Sequence, residues 1–204
     1  MAIYSAGTSV ANAGALVGAG KVDLLYSNSW TSTITGWNID NVFSAAYRIY
    51  KLYLYTATSG AGIHYTVRFR TGGASGTTVT DSNYMQSNYS AWIDRDNAAE
   101  GTDNKSQNTN SSGFQMWQKG SKAANHKPHA VEMTIYDPYG ATVNNNGRTR
   151  IIVNEGYFTD GNEDVVAISD WYYDEDPNAT GLNFNPSSQG MQYGQCYLYG
   201  IKWT

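Results

Sequence analysis

Polar and apolar residues alternate along most of the chain, and the alternation has the period of a strand. In Ile63–Arg70 the side chains of Ile63, Tyr65, Val67 and Phe69 share one face, while His64, Thr66, Arg68 and Arg70 share the other. A period of two over eight residues predicts a half-buried β-strand. The preceding segment Tyr47–Thr56 places Tyr50, Leu52 and Leu54 on one face and predicts a second strand. The link Ala57–Gly62 (ATSGAG) between them has hairpin chemistry.

Further strands are expected near Val22–Tyr26, Thr31–Trp37, Tyr84–Ile93, Gly113–Gln118, Ala130–Tyr136, Arg148–Val153, Val165–Tyr173, Leu182–Asn185 and Gln195–Trp203. Turn dipeptides punctuate them: Asp137-Pro138, Asn146-Gly147, Asp160-Gly161, Asp176-Pro177 and Asn185-Pro186. No segment holds a sustained 3.6-residue period, and at most one helical turn fits around Asn38–Ala46. About ten short strands without helices predict an antiparallel β-sandwich or barrel. The apolar strand Gln195–Ile201 is expected inside a sheet, because an edge of that character would aggregate.

Two stretches depart from this pattern. Residues 1–20 are rich in Gly, Ala, Ser and Thr, with no Lys or Arg before Lys21. They have little to bury and make a poor secretory signal, so an extended N-terminal arm is expected, followed by one domain over residues 21–204. Residues 94–128 are rich in Asn, Ser, Asp, Lys and Gly, and are expected to form a long polar excursion.

Composition narrows the classes. The 204 residues suffice for one sizeable core. A net charge of −4 argues against an electrostatic nucleic-acid partner, which calls for a basic face. The chain contains no apolar run long enough to span a membrane as a helix. The single cysteine, Cys196, excludes an internal disulfide. Aromatic residues make up 14% of the chain, with 17 tyrosines and six tryptophans, a composition suited to contact surfaces.

Candidate chemistry is sparse. Eight carboxylates crowd the segment Glu155–Asp176, and Asp160-Gly161-Asn162-Glu163-Asp164 offers oxygen ligands of the kind calcium takes. The spacing of a full calcium loop is missing, so an acidic rim is the expectation. Paired carboxylates could hydrolyse a glycoside, but none is isolated among apolar neighbours as a raised-pKa acid must be. His126 and His129 flank Lys127-Pro128 in a context that opposes a helix, and no third ligand is near; together with His64 they are expected at the surface. Gly72-Gly73-Ala74-Ser75-Gly76 precedes no helix and is no phosphate cradle. Cys196 lies within an apolar strand and is expected to be buried packing. No catalytic, metal or cofactor residues are assigned.

Four segments carry a resemblance. They are Trp37-Asn38-Ile39-Asp40 with Tyr47–Leu54 (YRIYKLYL), Arg68–Gly73 (RFRTGG), Met133–Pro138 (MTIYDP) and Tyr197–Lys202 (YLYGIK). In this order they resemble a family of jelly-roll virion proteins of tailed bacteriophages, and the likeness runs from Val22 to Lys202. It implies an antiparallel jelly-roll sandwich of about eight to ten strands and a non-enzymatic structural component of a virion, without cofactors. The partner it implies is the major capsid protein or another virion protein, the role that of decoration or cement, the assembly a homotrimer. The alternative is a tail-fibre or receptor-binding module recognising a host surface glycan, for which Trp92, Trp117, Trp171, Tyr172 and Tyr173 are the candidate stacking residues. For each of these, a place in the core is the competing expectation.

Overall fold

The computed structural model describes residues 3–5, 8–12, 15–16, 22–58, 64–94, 99–116, 128–140, 149–158, 163–175, 178–186 and 190–202. Its described elements are strands, apart from one short 3₁₀ turn at Gly73–Ser75. In chain order the strands are β1 (Ile3–Ser5), β2 (Thr8–Asn12), β3 (Ala15–Leu16), β4 (Val22–Trp30), β5 (Trp37–Ile39), β6 (Ile49–Thr58), β7 (Tyr65–Thr71), β8 (Thr77–Thr78), β9 (Tyr84–Asp94), β10 (Ala99–Ser111), β11 (Phe114–Met116), β12 (Pro128–Tyr136), β13 (Thr149–Phe158), β14 (Glu163–Tyr173), β15 (Gly181–Pro186) and β16 (Met191–Ile201).

The order of pairing is that of a jelly roll. One sheet contains β4-β16-β6-β12 and the other β5-β15-β7-β11, so the chain crosses between sheets at almost every step. All these ladders are antiparallel. Two insertions complicate the plan. The hairpin β9–β10 lies between β8 and β11 in sequence, and the hairpin β13–β14 lies between β12 and β15. Both attach beyond β12, extending the first sheet to the eight-stranded order β10-β9-β14-β13-β12-β6-β16-β4. The two insertions join through the β14–β9 ladder, which runs from Glu163↔Asp94 to Tyr173↔Tyr84.

Alternation drives the core. Tyr50, Leu52 and Leu54 of β6, Met133 and Ile135 of β12, Ile151 and Val153 of β13, and Cys196 and Leu198 of β16 point inward and are buried. They meet Ile39, Tyr65, Val67, Phe69, Phe114, Leu182 and Phe184 from the smaller sheet. Aromatic rings bridge the layers. Phe114 stacks on Trp171 at 5.0 Å between centroids, Phe69 meets Tyr173 edge-on at 5.6 Å, and Trp37 stands 5.5 Å from Trp30. Pairs in such geometry contribute about 0.5–1.5 kcal/mol each beyond area burial.

Several sequence expectations need correction. The link Ala57–Gly62, described only as far as Thr58, does not join a hairpin: β6 and β7 do not pair but belong to different sheets. Thr31–Trp37 is largely irregular, with Ile34 bridging Met191, and the strand there is Trp37–Ile39. Around Asn38–Ala46, where at most one helical turn was expected, there is no helix, and the Tyr47 N–H closes a single turn on the Ser44 carbonyl at 3.4 Å. The polar stretch 94–128 is not simply a loop, because it supplies β10, a 13-residue edge strand on β9. A polar, Lys-bearing sequence suits an edge, where a ladder forms on one side only and aggregation must be discouraged. β16 does lie inside a sheet, between β4 and β6. The N-terminal segment contains β1, β2 and β3, an antiparallel three-stranded sheet that shares no ladder with the sandwich among the described residues.

The segments that carry the resemblance turn out to hold the fold together. Arg70 reaches from β7 to Asp40 at 2.5 Å, to the Gly76 carbonyl at 2.5 Å and to Thr78 Oγ1 at 3.0 Å. This fixes the turn after β7, where Gly72 and Gly73 adopt φ of 85° and 69°, a region that glycine enters without penalty. Asp137 at the end of β12 donates its backbone N–H to the Arg48 carbonyl at 2.7 Å. Tyr50 locks the loop before β6, its hydroxyl donating to the Ser44 carbonyl and accepting from the Ser44 N–H, both at 2.9 Å.

Candidate binding face

The outer face of the eight-stranded sheet follows from the same alternation that builds the core. If Tyr50, Leu52 and Leu54 point in, Lys51, Tyr53 and Tyr55 must point out; if Cys196 and Leu198 point in, Gln195, Tyr197 and Tyr199 must point out. Strand register then sets these side chains in rows across the sheet. One row reads Tyr197, Tyr53, Glu132, Asn154, Ile168 and Tyr89 over β16, β6, β12, β13, β14 and β9. The next reads Gln195, Tyr55, Ala130, Gly156, Val166 and Ala91.

The second row has a low centre. Ala130 and Gly156 are small, and a β-carbon added at Gly156 would meet nothing within 4 Å. Tyr55 stands on one side of this floor and Val166 on the other. The result is an open trough of about 520 Å³, lined also by Tyr53, Glu132, Asn154, Gln195 and Tyr197. A second hollow, about 470 Å³, lies on the opposite side of the Tyr53–Tyr197 pair and is bounded by Val22, Lys51, Tyr199 and Ile201. Tyr53 and Tyr197 therefore form a ridge between two hollows. Exposure of 43% for Tyr53, 50% for Tyr55 and 36% for Tyr197 leaves their rings available to a partner. Tyr53 is steadied by an edge-on contact with Tyr199 at 6.1 Å. Lys51 Nζ, in the second hollow, donates to Glu132 Oε1 of the trough at 2.5 Å, so cation and carboxylate neutralise each other. Asn154 and Gln195 add amides that both donate and accept.

The residues singled out from sequence fall elsewhere. Trp171 is fully buried and Tyr173 nearly so; both belong to the core beside Phe114 and Phe69. Trp92 is half-buried and packs against the core from β9, with Gly101 leaving the space its indole occupies. Tyr172 is half-buried on the outer face, opposite Arg150. Trp117 lies outside the described residues, as do His126 and residues 159–162 and 176 of the acidic segment. His129 corrects its surface expectation: it is 1% exposed, pointing inward with Val131 and Met133 and lying 6.3 Å from the Tyr157 ring. The rule that sends alternate residues of a strand inward outranks the polarity of the side chain there. His64 is half-buried, and burial lowers its pKa.

The described carboxylates of the acidic segment are dispersed. Glu155 is buried on β13, whereas Asp170 on β14 takes a two-pronged bond from Arg150 at 2.8 and 2.7 Å. Among the described residues, no three His, Cys, Asp or Glu side chains stand close enough to hold a metal ion. Burial pushes the Cys196 thiol up to about 12.

Sequence reasoning missed the outer tyrosines of β6 and β16 by taking its stacking candidates, Trp92, Trp117, Trp171, Tyr172 and Tyr173, from other segments. The signal was present, since Tyr53, Tyr55, Tyr197 and Tyr199 occupy the positions opposite to the apolar ones. Compared with known protein families and with curated proteins, the sequence has no match.

Proposed function

We propose that this chain is a non-enzymatic structural component of a tailed-phage virion, a capsid-surface decoration or cement protein that binds the lattice of the major capsid protein. The observation that carries this reading is the position of the motifs behind the resemblance. They fall on β6, β7, β12 and β16 of one jelly roll, and their residues are engaged in its corners and core. Such motifs describe a scaffold rather than a catalytic centre. The β1–β3 sheet, which shares no ladder with the sandwich among the described residues, is the natural element to engage neighbouring subunits. A homotrimer on a local three-fold position follows the symmetry of such lattices.

Labelled protein mixed with virus heads lacking it, and separately with host cells, tests the reading by co-sedimentation. Saturable binding to heads, lost on deletion of residues 1–20 while the sandwich stays folded, is the expected result. Binding to cells but not to heads would overturn it.

A second reading, a tail-fibre or receptor-binding module for a host glycan, is favoured by the tyrosine-walled trough on the outer sheet face. On this reading the stacking residues are not the aromatics picked from sequence but those of β6 and β16.

A further inference from the structure

We infer that the trough over Ala130 and Gly156, together with the hollow across the Tyr53–Tyr197 ridge, is a binding site for a neutral oligosaccharide of several units. This deepens the glycan reading and rests on it.

The argument begins with shape. From β6 to β14 there are three strand spacings, about 14 Å, so the low floor between Tyr55 and Val166 is broad enough to seat a sugar ring. The trough volume of about 520 Å³ lies within the usual range for a small ligand and fits two or three sugar rings. The adjoining hollow of about 470 Å³ shares Tyr53 and Tyr197 with it, so a longer chain would pass over the ridge and occupy both.

The chemistry of the walls selects the ligand. A pyranose has an apolar face of C–H bonds and an equatorial rim of hydroxyls. Tyr53, Tyr55 and Tyr197 offer exposed aromatic faces for the former. Asn154, Gln195 and the Glu132 carboxylate border the same space and offer donors and acceptors for the latter. The charge pattern argues against an anionic ligand. The cation of the adjoining hollow, Lys51, is already held by Glu132, and the chain as a whole is net negative. The floor selects too. Gly156 lies mid-strand in β13, where a glycine weakens a sheet, and no crowding explains its lack of a side chain. Close approach of a ligand ring to the backbone accounts for it.

Gly156→Val is therefore the decisive variant. It places a residue favoured in strands in the trough, and its β-carbon meets nothing within 4 Å, so the fold is expected to be retained. The intact chain and its variants are titrated calorimetrically with neutral hexasaccharides of the β-glucan, xylan and α-mannan types, with an acidic hexasaccharide as the control. Saturable binding of at least one neutral hexamer is expected, weakened about tenfold or more by Tyr53→Ala or Tyr55→Ala and abolished by Gly156→Val at unchanged melting temperature. No saturation by any neutral hexamer, preference for the acidic one, or indifference to Gly156→Val would overturn the inference. Self-association that Gly156→Val abolishes, without sugar binding, would assign the face to a second copy and equally overturn it. A parallel assay on host cells separates the two levels. Cell binding that survives Gly156→Val rejects the trough but keeps the glycan reading; absence of cell binding rejects that reading itself.

Discussion

The ring of Tyr47 lies directly over Gly200. A β-carbon at Gly200 would stand 2.6 Å from Tyr47 Cδ1 and 2.7 Å from its Cγ, closer than packed carbons approach. The Tyr47 hydroxyl donates to Asp23 Oδ2 at 2.7 Å, Lys202 Nζ lies 3.2 Å from the same carboxylate oxygen, and Lys202 also sits 5.6 Å from the Tyr47 ring centroid. The loop before β6 and strands β4 and β16 are thereby joined. The segments YRIYKLYL and YLYGIK, far apart in sequence, contain the two halves of one contact.

Gly200→Ala is accordingly expected to cost about 1–3 kcal/mol, the usual penalty for overpacking, with the ring displaced from Asp23. Urea denaturation measures it. Gly156→Ala is the contrast, with open space at the β-carbon and no loss expected. Gly181→Ala should exceed both, because the obstacle is the Ile39 carbonyl oxygen at 2.0 Å, part of the paired backbone of β5.

Arg70→Ala should destabilise the sandwich by about 3–5 kcal/mol, since Asp40 would be left largely buried without its cation and the turn after β7 without its clasp. By contrast, Lys51→Ala removes a partly exposed ion pair and should change stability by no more than about 1 kcal/mol. Thermal unfolding of the two variants side by side tests the ranking.

Truncating Trp171 to Ala removes the ring stacked on Phe114 between the sheets, and a loss of about 3–5 kcal/mol is expected. Sugar binding by whatever protein remains folded should be unaffected, because Trp171 faces the core and the trough lies on the opposite face.

Alkaline conditions should unfold the protein. Burial, and then the hydrogen bond to Asp23, push the Tyr47 hydroxyl up to about 12; burial alone does the same for the Cys196 thiol. Both groups hold their protons more tightly when folded. Their stabilising effect is complete below the unfolded values of about 8.5 for the thiol and about 10 for the phenol, and is lost as pH rises towards 12. Denaturation midpoints should fall above about pH 9, and Cys196 should resist a thiol reagent at pH 8 until guanidinium is added. Rapid modification of the native protein would contradict the buried placement.

Much of the sandwich was legible in alternation alone. The strands around Tyr50, Val67, Met133, Val153, Trp171 and Leu198 were found within a few residues, because each buries one face. What alternation does not encode is the partner of each strand. Ala57–Gly62 has the composition of a tight turn, yet β6 and β7 separate into different sheets, a choice set by long-range packing of Tyr50 and Val67 rather than by the link. β10 was illegible because an edge strand of Asn, Ser and Thr has no apolar face to advertise; its ladder is supplied by β9. The trough was half legible. Outward tyrosines could be counted from sequence, but their alignment beside Gly156 depends on register across the three ladders from β16 through β6 and β12 to β13.

The placement of β16 sets the schedule on which the molecule can form. It pairs with β4 on one side and β6 on the other, so the tyrosine ridge and the inward places of Cys196 and Leu198 await a strand that lies far along the chain from both. Closing so long a loop is entropically slow, and until it closes, β4 and β6 both expose unpaired backbone. A nascent chain of this protein is thus prone to pair with its neighbours before it can pair with itself. Yield during expression should respond more to anything that shelters those two open strands than to the stability of the finished sandwich.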